Sequence, residues 1–162
     1  MKEYILCAGR NMITLLLYAM MAFMLFAPSG CKPKGSDPEP VSDVQLAKLT
    51  KTWKLKDATL DGVSKASDYS SFQLTLSGTK GATTFSYSTS GRPARSPWPA
   101  SGSWSFGADP STQIIRDPMA PDQLNVTYTV SQTTLQLSFP FTGTAYSGRS
   151  AIVTGQWVFT FE

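Results

Sequence analysis

QLNVTYTVSQTTLQLSF, residues 123–139, alternates apolar and polar side chains along two runs. Leu124, Val126, Tyr128 and Val130 share one parity in the first run, and Leu135, Leu137 and Phe139 share one in the second. A strand sends successive side chains to opposite faces, so this spacing predicts two strands, each with a single apolar face. The intervening positions are Asn, Thr, Gln and Ser, which suits the solvated face of an antiparallel sheet. The connection is little more than Ser131-Gln132, short enough only for a hairpin.

The same period extends outward in both directions. Upstream, TWKLKDATL (52–60) points Trp53 and Leu55 inward, with a bulge expected at Asp57. Phe72, Leu74 and Leu76, then Phe85 and Tyr87, then Trp104 and Phe106 mark three more strands, and Ile114-Ile115 centre a shorter one. Downstream, AIVTGQWVFTFE (151–162) contributes Val153, Trp157, Phe159 and Phe161. These runs make eight strands. Helical spacing is confined to VSDVQLAKLT (41–50), where Ser42 or Asp43 is the expected cap and Val44, Leu46, Ala47 and Leu49 the apolar side. Sequential strands with one apolar face must bury it. An all-β, eight-stranded antiparallel up-and-down barrel does so and removes exposed edges; a two-sheet sandwich is the other solution.

The barrel region is expected to span residues 41–162, and the chain before it has a different chemistry. Lys2 and Arg10 precede the apolar run Met12–Phe26, the pattern of a secretory signal peptide over residues 1–30. The run falls short of the ~20 residues of a membrane-spanning helix. Ser29-Gly30-Cys31 resembles the lipobox of bacterial lipoproteins, with Pro28 where an aliphatic residue is usual. The resemblance implies that Cys31 carries the lipid, palmitate among its acyl chains, and becomes the first mature residue. The other cysteine, Cys7, lies in the signal, so Cys31 has no intramolecular partner. Residues 31–40, CKPKGSDPEP, alternate Pro, Gly and charge, cannot bury apolar surface, and read as a tether. The expected location is the cell envelope, anchored to the outer membrane, on its periplasmic or surface face.

A short helix, LTKTWKL opening the first strand, a Asp-Gly turn and a meander of strands together resemble the lipocalin-like domains of Bacteroidetes lipoproteins. Lipocalins open their first strand with G-x-W; Trp53 matches, and Lys51 stands in place of the glycine. In lipocalins an arginine late in the last strand covers this tryptophan, whereas Arg149 lies at the start of that strand here. The resemblance implies a calyx-type barrel and a binding rather than a catalytic role.

In a meander, loops alternate between the two ends of the barrel. The longer ones, DGVSKASDYS, SGRPARSPWPAS, DPMAPD and PFTGTAYSGRS, fall on one end, the mouth. Binding surfaces concentrate on long loops held by a rigid scaffold. Trp98 sits between Pro97 and Pro99 on the second of these loops, and Arg92, Arg95, Arg116 and Arg149 all lie in or beside mouth loops. With Phe141, Tyr146 and Tyr69 they form the expected binding surface for a small apolar or amphipathic ligand; docking of a protein or glycan is the alternative. A plainer account is equally open: Trp98 folds inward as a plug, and Asp61, Asp68, Asp117 and Asp122 pair with the arginines. Orientation follows from strand parity. The helix covers the closed end with Val44, Leu46 and Leu49, and Trp98, Arg92 and Arg95 lie about one strand length away, ~20 Å, facing away from the membrane.

Catalysis has little material to work with. There is no histidine, and the lone mature cysteine is assigned to lipid, so serine–histidine and cysteine–histidine nucleophiles and the usual zinc and haem ligands are missing. The acids lie mostly in turns. Neither GTKG nor SGSWSFG precedes a helix, as a phosphate loop requires. Formal net charge is +3, and removing Lys2, Glu3 and Arg10 leaves it only mildly positive, far from a nucleic-acid-binding balance. A non-enzymatic monomer without metal or cofactor is expected.

Overall fold

Eight strands wind into one closed antiparallel barrel in the computed structural model, which describes residues 38–142 and 153–162. After helix α1 (Val41–Leu49) come β1 (Thr52–Leu60), β2 (Val63–Ser64), β3 (Gln73–Ser77), β4 (Phe85–Ser90) and β5 (Ser101–Phe106). β6 (Gln113–Arg116), β7 (Leu124–Val130), β8 (Leu135–Phe141) and β9 (Gly155–Phe161) complete the chain. Apart from β2, neighbours in sequence are neighbours in the sheet, and pairing of β1 with β9 closes it. The expected barrel is therefore the observed one, and the sandwich is not. The two-residue β2 is an addition: Asp61 and Gly62 both take positive φ, 49° and 79°, and fold β2 back onto the end of β1. That is the turn an Asp-Gly pair favours, because its twist matches that of the strands.

The bulge expected at Asp57 is present. Leu55 faces Phe161 and Asp57 faces Thr160, so Lys56 is the extra residue. The insertion shifts the inward phase of β1 from Trp53 to Ala58, and both are fully buried. Elsewhere the alternation holds, with Leu74 and Leu76, Tyr128, Leu135, Leu137, Phe139, Phe159 and Phe161 in the core. Of the two isoleucines of β6 only Ile114 is buried; Ile115 is half-buried, and the next inward position is the buried Arg116. Phe106 is half-buried against the core rather than within it.

Helix α1 closes one end. Leu46 and Leu49 are buried there, whereas Val44, expected beside them, is 36% exposed. The helix starts after Pro40 without a side-chain cap, so neither Ser42 nor Asp43 plays the expected role. Trp53 lies beneath the helix end and donates its indole N–H to the Leu49 carbonyl at 2.9 Å. Lys51 supplies the cation over Trp53, its Nζ 3.8 Å from the ring centroid, and also donates to the Gln132 carbonyl of the β7–β8 turn. The residue that departs from the G-x-W pattern thus covers the tryptophan itself.

Candidate functional site at the loop end of the barrel

Opposite the helix lie the β1–β3, β4–β5 and β6–β7 connections, together with the end of β8 and the start of β9, as strand parity requires. The β4–β5 loop, residues 91–100, shapes this end. Trp98 does not project from it. It is 1% exposed and sits between Tyr87 of β4 and Phe139 of β8, ring centroids 5.6 and 5.7 Å away, both edge-on. Those two strands are not adjacent in the sheet, so the indole spans the barrel interior and plugs it. Of the two accounts of Trp98, exposed surface or inward plug, the plug is the observed one.

Four residues hold the plug. Arg116 donates from Nη1 to the Pro97 carbonyl at 2.6 Å and places its guanidinium 5.5 Å from the Trp98 ring centroid. Thr89 Oγ1 donates to the Pro99 carbonyl, and Arg92 Nη1 to the Trp98 carbonyl at 3.4 Å. The Ser96 hydroxyl, fully buried, accepts from the Trp98 N–H. At the start of the loop Gly91 has φ 62°, and a Cβ there would run into the Ser71 carbonyl. That close crossing pins the β4–β5 loop on the β1–β3 loop, and only glycine permits it.

Arg116 is a charged residue inside a barrel, 1% exposed, and a buried charge needs partners. Asp117, with φ 51°, turns its carboxylate back to within 3.2 Å of Arg116 Nε. The same carboxylate accepts from Tyr87 Oη at 2.8 Å and from the Ser103 N–H at 2.9 Å. Gly102 leaves the room for this bond: a Cβ there would meet Asp117 Oδ1 and Tyr87 Oη. An aspartate expected to pair on the surface therefore belongs to a buried Arg116–Asp117–Tyr87 network. The parity of Ile114 and Arg116 is the signal that pointed to it.

Beside the plug lies a cleft of about 350 Å³ lined by Lys65, Asp68, Tyr69, Pro93, Ala94, Arg95, Val153 and Trp157. The β1–β3 loop supplies one wall, the β4–β5 loop the second, and the approach to β9 the third. The floor is rigid. Tyr69 packs edge-on against Phe72, Trp157 and Phe159, and donates its hydroxyl to the Arg95 carbonyl at 3.3 Å. Trp157 donates its indole N–H to the Val153 carbonyl at 2.7 Å. Burial pushes the Tyr69 hydroxyl pKa up to about 12; a hydrogen bond with Ser96 opposes this and the Asp68 charge adds to it.

The residues expected at the mouth thus separate. Tyr69 and Arg95 meet in the cleft, Arg92 is half-buried against the plug loop, and Trp98 and Phe141 are core. Tyr146, Arg149 and Cys31, the expected lipid attachment site, lie outside the described residues. Lys65, Val153 and Trp157 were not expected in a site, because only the folding of two loops onto β9 gathers them. Fold and site together define the class: a closed antiparallel barrel with an aromatic interior and a cleft at its loop end. No protein-family model, curated protein or solved structure matches the chain.

Proposed function

We propose that this chain is a lipid-anchored envelope protein whose barrel is a non-enzymatic binding module for a small apolar or amphipathic ligand. The observation that carries the reading is the mouth cleft, whose volume of about 350 Å³ lies in the range of small-molecule sites. It joins an apolar floor, Tyr69, Trp157 and Val153, to a few charged groups at the rim, the composition such sites have. The Ser29-Gly30-Cys31 lipobox supports the anchor and the outer-membrane location, and the G-x-W-like opening supports kinship with lipocalin-like lipoproteins. Native mass spectrometry of the purified protein tests the reading. A retained small molecule that is lost on Trp157→Ala supports it; a protein that takes up no small molecule in this assay or on ligand-library screening rejects it.

A second reading, a partner-docking barrel, draws on two other features of the same end. Met119 of the β6–β7 loop is 92% exposed, and Val63 at the β1–β2 turn is 61% exposed. Apolar side chains at loop tips suit contact with a protein or glycan. Here Met119→Ser together with Val63→Ser would abolish partner binding and leave small-molecule retention untouched.

A further inference from the structure

Two cations line the mouth cleft, and among the described residues neither side chain has an ion pair or a hydrogen bond. The ion pairs here are Lys56–Glu162, Lys80–Glu39 and Arg116–Asp117, and no hydrogen bond engages Lys65 Nζ or the Arg95 guanidinium. Both residues are half-buried at the cleft. Arg95 is fixed from behind, since its carbonyl receives the Tyr69 hydroxyl. Asp68, on the same rim, is exposed and is the one carboxylate among the lining residues. The cleft therefore carries an excess of positive charge over a floor of Tyr69, Trp157 and Val153.

We infer that the ligand is an anionic small molecule with a compact apolar body. Its charged group would sit between Lys65 and Arg95, and its apolar body would rest on Val153, Pro93 and the edge of Trp157. The inference rests on the binding-module reading and sharpens it. The physical reason is the pairing of geometry and charge. A guanidinium fork can grip a sulfonate or carboxylate through two parallel hydrogen bonds, and an ammonium adds a point charge. Partial burial makes these contacts less screened than at an open surface. The small volume limits the body to a ring system or a short chain, because the barrel interior beneath is occupied by Trp98, Phe139 and Phe159.

The test uses the full chain in zwitterionic micelles and two probes with the same rings, 2-naphthalenesulfonate and 2-naphthalenemethanol. NMR signals of the Trp157 indole N–H and the Val153 methyls are followed, so the readout is the cleft and not partition into the micelle. The sulfonate should shift both signals saturably. Arg95→Gln or Lys65→Gln should each weaken the sulfonate about tenfold, as expected for one charge-assisted contact, and leave the alcohol unchanged. Asp68→Asn should tighten the sulfonate. If both probes shift the signals and neither cation variant alters the sulfonate, the cleft binds small molecules but the anionic assignment is wrong. If neither probe shifts them, the binding-module reading falls as well.

Discussion

Trp98→Ala should destabilise the barrel by about 3 kcal/mol, although Trp98 belongs to a loop. Truncating a buried tryptophan to alanine typically costs about 3–5 kcal/mol, including its aromatic contacts and the cavity left behind. Here the loss includes the edge-on pairs with Tyr87 and Phe139 and the Arg116 guanidinium near the ring. One term runs the other way. The Trp98 indole N–H is buried without an acceptor, and a donor left in that state costs about 1–3 kcal/mol, which the alanine variant recovers. The result lies at the low end of the range. Trp98→Phe separates the two terms: it keeps a ring between β4 and β8 and discards the unpartnered donor, so its net change should stay within about 1 kcal/mol. Equilibrium urea unfolding followed by far-UV circular dichroism measures both. With a slope of about 2 kcal/mol per molar, Trp98→Ala should lower the midpoint by roughly 1.5 M and Trp98→Phe by at most about 0.5 M. A Trp98→Ala midpoint within about 0.3 M of wild type would falsify the plug. Equal losses in both variants would show that the indole N–H, not the ring, carries the energy.

Gly91→Ala should cost about 1–3 kcal/mol, more than a surface glycine, because it adds a steric clash with the Ser71 carbonyl to a positive φ; a thermal midpoint unchanged from wild type would remove the loop crossing from the account. Asp117→Asn keeps an acceptor for the Ser103 N–H but takes the Asp117 carboxylate from the Arg116 charge, and should cost about 3 kcal/mol in the same urea assay; a neutral result would mean that the other partners of Arg116 satisfy it. The Tyr69 hydroxyl ionises near pH 10 when unfolded and near 12 when folded, so the folded state holds the proton more tightly between those values. Its stabilising contribution is complete below pH 10 and is lost as the pH rises towards 12; Tyr69→Phe should flatten the stability–pH curve in that window, and an unchanged slope would count against the burial of the hydroxyl. Cys31→Ala should abolish incorporation of radiolabelled palmitate and release the protein from membranes; labelling equal to wild type would refute the lipobox.

The amino-acid sequence by itself determined a meander of eight strands, and the pairing of β1 with β9 decided that it closes as a barrel and not as a sandwich. Alternation such as that of 124–130 and 135–139 assigns each strand its inner face, and short connections leave hairpins as the only links. Strand parity then fixes which loops share an end, so the separation of helix α1 from the 91–100 loop was legible before any coordinates. Asp57 and Asp61-Gly62 announced a bulge and a turn because those features are local: neighbouring backbone angles decide them. The mouth was not local. Whether Trp98 points into solvent or into the barrel depends on Tyr87, Phe139 and Arg116, which come from three other strands and leave a space of indole size. Pro97 and Pro99 stiffen the loop without choosing its direction. Asp117 reads as a turn residue, and only the close approach allowed by Gly102 makes it the buried partner of Arg116 and Tyr87. The cleft likewise joins Lys65, Arg95 and Trp157, far apart in the chain and without a shared motif. Periodicity follows from the backbone and is written along the chain, whereas the direction of a loop side chain follows from the space other segments leave, and that exists only once the barrel has closed.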